Sequence, residues 1–461
     1  MKKSKASKSV SPYLLVLLSF LVVILVGSVL LTFPFAHTDG KWGNYLDSFF
    51  VATSATCVTG LCTYANGIGN ELTFFGQLVI LIMIQIGGLG FITIFAFIIT
   101  IFSRRLKFKD RLFLSQAVNS NTISQVVKYV RRVIVIVISM ELLGFLLGLP
   151  VFLNMENIDL PHALWFDFFT SVSAFNNAGF DLFGATSLIR GVGNEFIDSM
   201  PTWAYYYMLS YIMFLIIVGG ISFVVIIEIV FLKRKFRQWS AFTRIVLLTT
   251  SILLIFGFGV FCLTDVLNGN INPFDALFQS VTTRTAGFAS FDQDSMSSAG
   301  KVFSCLLMFI GGSPIGTAGG IKTTTIFIIV LSFFRFIQGK NIVAFKRQYS
   351  RLSIIKAMSL VFLSIMITIV AFVAIISIEK GGNNEQATSE NVFFEVFSAF
   401  GTVGLTANLT PSLSFATKII VCLLMFFGRL GPISIFQIFQ SNIEKEESKH
   451  FEYITTDVII G

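Results

Sequence analysis

Four short stretches, Cys57-Val58-Thr59-Gly60-Leu61, Asn176-Asn177-Ala178-Gly179-Phe180, Arg284-Thr285-Ala286-Gly287-Phe288 and Gly401-Thr402-Val403-Gly404-Leu405, each end in a glycine followed by one large apolar residue. The glycines are 119, 108 and 117 residues apart, and each lies between two long apolar segments. A near-constant period of that size reads as one structural unit used four times. Four membrane units, each carrying a small-residue loop, place four loops around one axis, which is the arrangement a cation filter needs.

The flanking segments read as membrane spans. The chain is 54% hydrophobic and 13% charged, far from soluble averages. About 20 apolar residues cross a hydrocarbon core, and eight runs are long enough: 13–35, 72–102, 133–153, 205–232, 245–263, 302–334, 360–378 and 419–439. The expected fold is an all-α polytopic membrane protein of four membrane–pore loop–membrane repeats, pseudo-fourfold around a central ion path. The expected divisions are repeat 1 with its N-terminus and linker (1–127), repeat 2 (128–240), repeat 3 (241–352), repeat 4 (353–440) and a tail (441–461). The first run follows Lys2, Lys3, Lys5 and Lys8. It exceeds a signal peptide's apolar region and has no small-residue cleavage site, so it reads as a span with its N-terminus inside.

The net charge of +8 follows topology and carries no nucleic-acid signature. Of the 33 basic residues, 25 fall in the N-terminus, segments 103–132, 233–244 and 335–356, and the tail. Those segments share one side if eight spans alternate, which makes that side, and both termini, cytoplasmic. The opposite connections hold Asp159, Asp181, Glu195, Asp198, Asp265, Asp292 and Asp294 with few cations. Five cysteines (57, 62, 262, 305, 422) and three scattered histidines show neither metal spacing nor a disulfide framework; Cys57 and Cys62 read as small buried thiols.

Before each glycine stands an apolar stretch too short to cross: 45–54, 164–174, 273–282 and 391–400. Each begins near an acid, Asp47, Asp167, Asp275 or Glu390, which offsets the positive end of a helix dipole. Each unit therefore reads span, loop, half-helix, glycine loop, span. Half-helices entering from outside aim their carbonyl ends at the bilayer centre and favour a cation there. Irregular backbone survives at membrane depth only beside a water-filled path or inside protein. Glycine is needed where a carbonyl must turn toward the axis with positive φ. The plainer alternative, glycines that let helices pack closely, explains one such glycine better than four in register.

On these residues the chain resembles the Trk/Ktr/HKT superfamily of potassium transporters, in its bacterial KtrB/KtrD branch, over about residues 12–440. The resemblance implies a K+ filter built from the backbone carbonyls of Cys57, Val58, Thr59, Gly60; Asn176, Asn177, Ala178, Gly179; Arg284, Thr285, Ala286, Gly287; and Gly401, Thr402, Val403, Gly404. All four glycines are present, whereas in the plant branch a serine in the first loop implies Na+ transport. It further implies a homodimer in a bacterial plasma membrane and a separate cytoplasmic ring of KtrA/KtrC-type RCK subunits that binds ATP or ADP. No organic cofactor is expected in this chain, and Na+ stands as a candidate activator that the residues do not decide.

The sixth run is interrupted by glycines and a proline over 311–325, where a continuous helix is unfavourable. A Walker A motif fails there because Ile321, not glycine, precedes Lys322. By resemblance this is an intramembrane gate formed by Gly311, Gly312, Ser313, Pro314, Gly316, Thr317, Ala318, Gly319, Gly320 and Lys322, with Arg429 as a barrier at the constriction. Arg284 is expected to point off the axis as a brace, onto half-helix carbonyls or onto Asp292 or Asp294. Glu228 reads as half of a surface pair with Lys233 or Arg234, and Glu141 as a deeper acid whose partner the sequence does not name. The tail, with Glu444 to Glu447 and Val458-Ile459-Ile460, is a candidate for the dimer interface. An alternating-access Na+- or H+-coupled symporter is the alternative, disfavoured by fourfold rather than twofold repetition. No span carries a voltage sensor's arginine ladder, and no constellation supports an enzyme.

Overall fold

The computed structural model describes residues 12–90, 123–155, 158–231 and 238–431. The basic segments 91–122 and 232–237 and the tail lie outside the described residues, as do the sequence readings placed on them. Among the described residues the chain is helical almost throughout. Its only paired strands are the two-residue partners Val343–Ala344 and Arg347–Gln348.

The helices alternate between long and short. Long α1 (Pro12–Thr32) leads to short α2 (Tyr45–Cys57) and inner α3 (Phe74–Leu89). Long α4 (Ile123–Phe152) leads to α5 (Leu160–Asn176) and α6 (Thr202–Gly220). Long α7 (Ala241–Phe261) leads to α8 (Pro273–Thr282), α9 (Ser298–Phe309) and, after a break, α10 (Thr323–Ile337). Long α11 (Arg351–Gly381) leads to α12 (Ser389–Gly401) and α13 (Phe415–Leu430). Four helical stretches, 128–152, 202–220, 241–266 and 351–381, are long and apolar enough to cross a membrane, and four shorter apolar helices accompany them. The outward faces of the long helices stay apolar, with Ile255 73% and Phe362 69% exposed. Such a surface suits lipid rather than water.

Packing closes a ring. Each long helix lies against the short helix that follows it (α1 on α2, α4 on α5, α7 on α8, α11 on α12). Each inner helix then lies against the next short helix: α3 on α5, α6 on α8, α9 on α12, and α13 back on α2. One phenylalanine of each short helix, Phe50, Phe169, Phe278 and Phe394, is fully buried. Three of them precede their loop glycine by ten residues, whereas Phe278 precedes Gly287 by nine.

The short helices start with polar caps and prolines, as helix N-termini do. Asn44 accepts from the Leu46 N–H and Thr388 from the Asn391 N–H, while α5 and α8 begin at Asp159 and Asn272 with a proline in the first turn. Asp47, Asp275 and Glu390 sit in first turns as expected. Asp167 does not, because α5 starts at Leu160 and places Asp167 two turns inside. Its carboxylate is fully buried, and neither oxygen has a hydrogen-bond partner. Glu228 also departs from expectation: it is buried, and its carboxylate accepts from the Ser240 N–H (2.9 Å), the Ser240 hydroxyl (2.7 Å) and Thr243 at the start of α7. A carboxylate there neutralises the exposed N–H groups and dipole of that helix end.

The ring's closing contact carries a charge pair, Lys418 Nζ to Asp47 Oδ1 at 2.6 Å, between α13 and α2. Breaking one side of a well-shielded pair leaves an uncompensated charge. Lys418→Met is therefore expected to lower the thermal unfolding midpoint of the detergent-solubilised protein. Adding Asp47→Asn should recover part of that loss, and a double variant as unstable as the sum of the singles would count against the pair.

Candidate functional site

The four loops are built alike from the backbone upward. Two residues before each glycine, Val58 (φ 57°), Asn177 (58°), Thr285 (75°) and Thr402 (51°) adopt the left-handed conformation, and the glycines follow at φ 104°, 70°, 82° and 97°. Left-handed backbone is costly for residues other than glycine, above all for β-branched ones, and persists only where surroundings enforce it. In loops one, two and four the helix end supplies that enforcement. The N–H groups of Val58, Asn177 and Thr402 donate to the Ala55, Ala174 and Ala399 carbonyls, and those of Thr59, Ala178 and Val403 to Ser54, Ser173 and Ser398. The third loop, one residue tighter, bonds instead from Arg284 to Val281 and from Ala286 to Thr282.

The loops meet glycine to carbonyl in a closed cycle. A β-carbon on Gly60 would lie 2.6 Å from the Ala178 carbonyl, on Gly179 2.6 Å from Ala286, on Gly287 2.3 Å from Val403, and on Gly404 2.0 Å from Thr59. All four contacted carbonyls belong to the residue just before a loop glycine, so four equivalent oxygens stand at one level. Outside this ring lies a vestibule of about 230 Å³ that all four glycines line, together with Asp181, Asp292 and Asn408. On the inner side, Gly87 of α3, Gly219 of α6 and Gly428 of α13 press on the Thr56, Phe175 and Phe400 carbonyls, where a β-carbon would come within 2.0, 1.8 and 1.9 Å. These inner-helix glycines were not singled out from the sequence. Their signal was glycine inside an otherwise apolar run, as in Gly87-Gly88 and Gly219-Gly220.

The segment between α9 and α10 packs beneath the loops. Ser313 N–H donates to the Gly220 carbonyl (3.1 Å), and the Thr317 hydroxyl to Gly219 (2.8 Å), both at the open end of α6. A β-carbon on Gly319 would meet the Thr402 hydroxyl at 2.0 Å, and one on Gly320 the Gly401 carbonyl at 3.3 Å. Pro314 and Gly316 lie in the same turn, Gly311 and Gly312 are buried, and a β-carbon on Gly312 would meet Ala318 at 2.3 Å. Lys322 folds back onto its own segment, donating to Ala318 (2.7 Å) and Gly319 (3.1 Å). Arg429 on α13 donates to the Thr317 carbonyl and to the Gly87 carbonyl of α3. One guanidinium thus joins three separate parts of the chain at the base of the ring.

Arg284 is buried and leaves the ring toward α7, where its Nη1 reaches the Thr250 carbonyl at 3.5 Å. It meets neither expected carboxylate. Asp294 pairs with Lys301 (2.7 Å), whose ammonium holds the Asp294 carboxyl below its usual range, and Asp292 accepts from Asn408 (3.1 Å). Cys57, Cys305 and Cys422 are buried, Cys62 and Cys262 partly so, and all five are free thiols. Among the described residues no group of His, Cys, Asp or Glu is arranged to hold a metal ion.

An all-helical ring of this kind, with apolar outer faces and a glycine-lined centre, defines a multi-pass membrane transporter. The chain belongs to the TrkH cation transport protein family, whose model matches residues 2–451. It is 35% identical to the Ktr system potassium uptake protein B of Bacillus subtilis, with all of both chains covered. It is 32% identical to the potassium/sodium uptake protein NtpJ of Enterococcus hirae, across this whole chain and 99% of that one. Among solved structures, the potassium transporter TrkH of Vibrio parahaemolyticus matches in fold at a TM-score of 0.70 and 17% identity, over 95% of this chain and 86% of that one.

Asp181, two residues after Gly179, gives the vestibule a titratable wall. Burial pushes its carboxyl up to about 6, against the opposing pull of bonds from the Ser187 hydroxyl and the Phe183 N–H. The carboxylate is therefore ionised above that pH and loses its charge as the vestibule's pH falls through it. A negative vestibule raises local cation concentration. Cation influx is expected to drop several-fold between outer pH 7.5 and 5, and Asp181→Asn should remove that step; a variant that keeps the step would assign it to another group.

Proposed function

We propose that this chain is the K+-conducting subunit of a Ktr-type uptake system in a bacterial plasma membrane. K+ passes through a single filter whose rings are the carbonyls of residues 57–60, 176–179, 284–287 and 401–404. The observation that carries this reading is the closed glycine-to-carbonyl cycle, which sets four carbonyls at one level between a vestibule and a cationic base. Backbone carbonyls at fixed positions replace an ion's hydration shell without binding it too tightly to leave. One glycine per loop leaves fewer ordered rings than a longer filter, which suits modest discrimination among alkali cations. The repeats run over 1–127, 128–240, 241–352 and 353–440, with both termini cytoplasmic.

The closed path is held by the segment from Gly311 to Lys322 and by Arg429. In this arrangement Arg429 occupies carbonyls that a permeating cation would otherwise meet, so opening requires that the guanidinium leave Thr317 and Gly87. The family relationship supports assembly as a homodimer with a cytoplasmic nucleotide-binding RCK ring. The Enterococcus relative's name pairs potassium with sodium, which supports testing Na+ as an activator or coupled ion.

The test is flux through purified protein in liposomes under an imposed K+ gradient, with and without Na+. Flux that follows the K+ gradient alone, with loss of K+ preference in Gly179→Ser, is the expected result. Flux that needs a Na+ gradient, or that ignores the glycine, would favour an alternating-access symporter. Arg429→Ala is expected to raise resting flux several-fold, measured in the same liposomes; a wild-type rate would remove the barrier role.

A further inference from the structure

We propose that Glu141 is a specificity-determining residue: the buried cluster Gln85–Glu141–Asn176 positions the second filter loop, replacing a serine bond that the first and fourth loops use. The inference rests on the filter reading above. In loops one and four the glycine N–H donates to a serine six residues earlier, Gly60 to Ser54 Oγ and Gly404 to Ser398 Oγ, each at 3.1 Å. In loop three that position is Val281, and the neighbouring Thr282 hydroxyl donates to the Phe288 carbonyl at 2.7 Å. Loop two keeps the serine, Ser173, but its buried hydroxyl has no partner. Its internal brace is missing.

An external brace stands three residues before the glycine. There the other loops carry Cys57, Arg284 and Gly401, and loop two carries Asn176. The Asn176 amide donates to Glu141 Oε1 (3.0 Å), Gln85 Oε1 (2.9 Å) and the Val172 carbonyl (2.9 Å). Gln85 Nε2 donates to Glu141 Oε2 at 3.1 Å, closing a three-residue cycle among α3, α4 and α5. Asn176 is fully buried and Glu141 is 7% exposed. The Ser171 hydroxyl donates to the Glu141 backbone carbonyl (2.6 Å), which fixes α4 against α5. Gly88 leaves the space that the Asn176 amide fills, since a β-carbon there would lie 2.0 Å from Oδ1.

Both carboxylate oxygens of Glu141 act as acceptors, which an amide cannot reproduce. In Glu141→Gln the new NH2 faces either Gln85 Nε2 or Asn176 Nδ2, donor against donor. Reversing the Gln85 amide to relieve this would remove the acceptor that Asn176 uses. No arrangement keeps all three bonds, so the cycle that ties the loop to α3 and α4 opens. A carbonyl ring with one loosened member contracts around a smaller ion, and preference for K+ over Na+ falls.

The experiment measures the K+/Na+ permeability ratio of the full-length protein in liposomes, alongside its thermal unfolding midpoint. Glu141→Gln is expected to lower the ratio by about ten-fold, the equivalent of one lost bond to a charged acceptor. Glu228→Gln, a buried carboxylate bonded to Ser240 and Thr243 at the start of α7, should leave the ratio unchanged. A folded, conducting Glu141→Gln with the wild-type ratio overturns the proposal. Should that variant fail to fold, Gln85→Met decides the matter: it removes both bonds made by Gln85 and leaves the carboxylate, and an unchanged ratio again overturns the proposal. A wild-type protein without K+ preference would remove the filter reading and this one together. A selective wild type with an equally selective variant removes only this one.

Discussion

Glycine pressed against a backbone carbonyl is the contact on which this molecule's centre depends. It occurs four times around the ring of loops and three more times where α3, α6 and α13 meet the ends of the short helices. Between helices in lipid there is no hydrophobic driving force, so close approach through small residues must supply the packing. Each glycine inside a helix forfeits about 1 kcal/mol of propensity relative to alanine. That loss is tolerated because any larger residue would push a β-carbon into an oxygen that has nowhere to go.

The same contact sets the electrical character of the centre. Short helices that end at the ring bring their carbonyl ends together, and left-handed residues turn the following peptides so that their oxygens gather at one level. Such a place favours a cation of any kind, and the protein supplies two of its own at the base, Lys322 and Arg429, both bound to carbonyls. Two ion pairs, Asp47 with Lys418 and Asp294 with Lys301, stand apart from this base. At the base, backbone carbonyls rather than carboxylates hold these two cations.

Much of this was legible in the sequence, and the failures have physical reasons. The short helices at 45–57, 273–282 and 389–401 follow from apolar stretches bounded by polar residues, and the break after Phe309 follows from its glycines and Pro314. The apolar stretch 164–174 begins four residues inside α5, which starts at Leu160 with Pro161 in its first turn. That slip turned Asp167 from a buried side chain into an imagined cap. Arg284 was expected on half-helix carbonyls or on Asp292 or Asp294, whereas it reaches the Thr250 carbonyl of α7 through helix packing. The cluster of Gln85, Glu141 and Asn176 spans 91 residues of chain. Spacing carries no register between separate helices, so such a pairing becomes visible only in three dimensions.

The Arg429 bridge has an electrical corollary. A guanidinium that joins three parts of the chain inside the membrane is one elementary charge seated in the transmembrane field. Carrying such a charge across the whole field is worth about 2.3 kcal/mol per 100 mV. A side chain that swings away from Thr317 and Gly87 crosses only a fraction of that distance, so the membrane potential tilts its position by a correspondingly small amount. A single arginine so placed therefore feels voltage weakly, and any displacement of it belongs to forces applied through the packed segments it ties together.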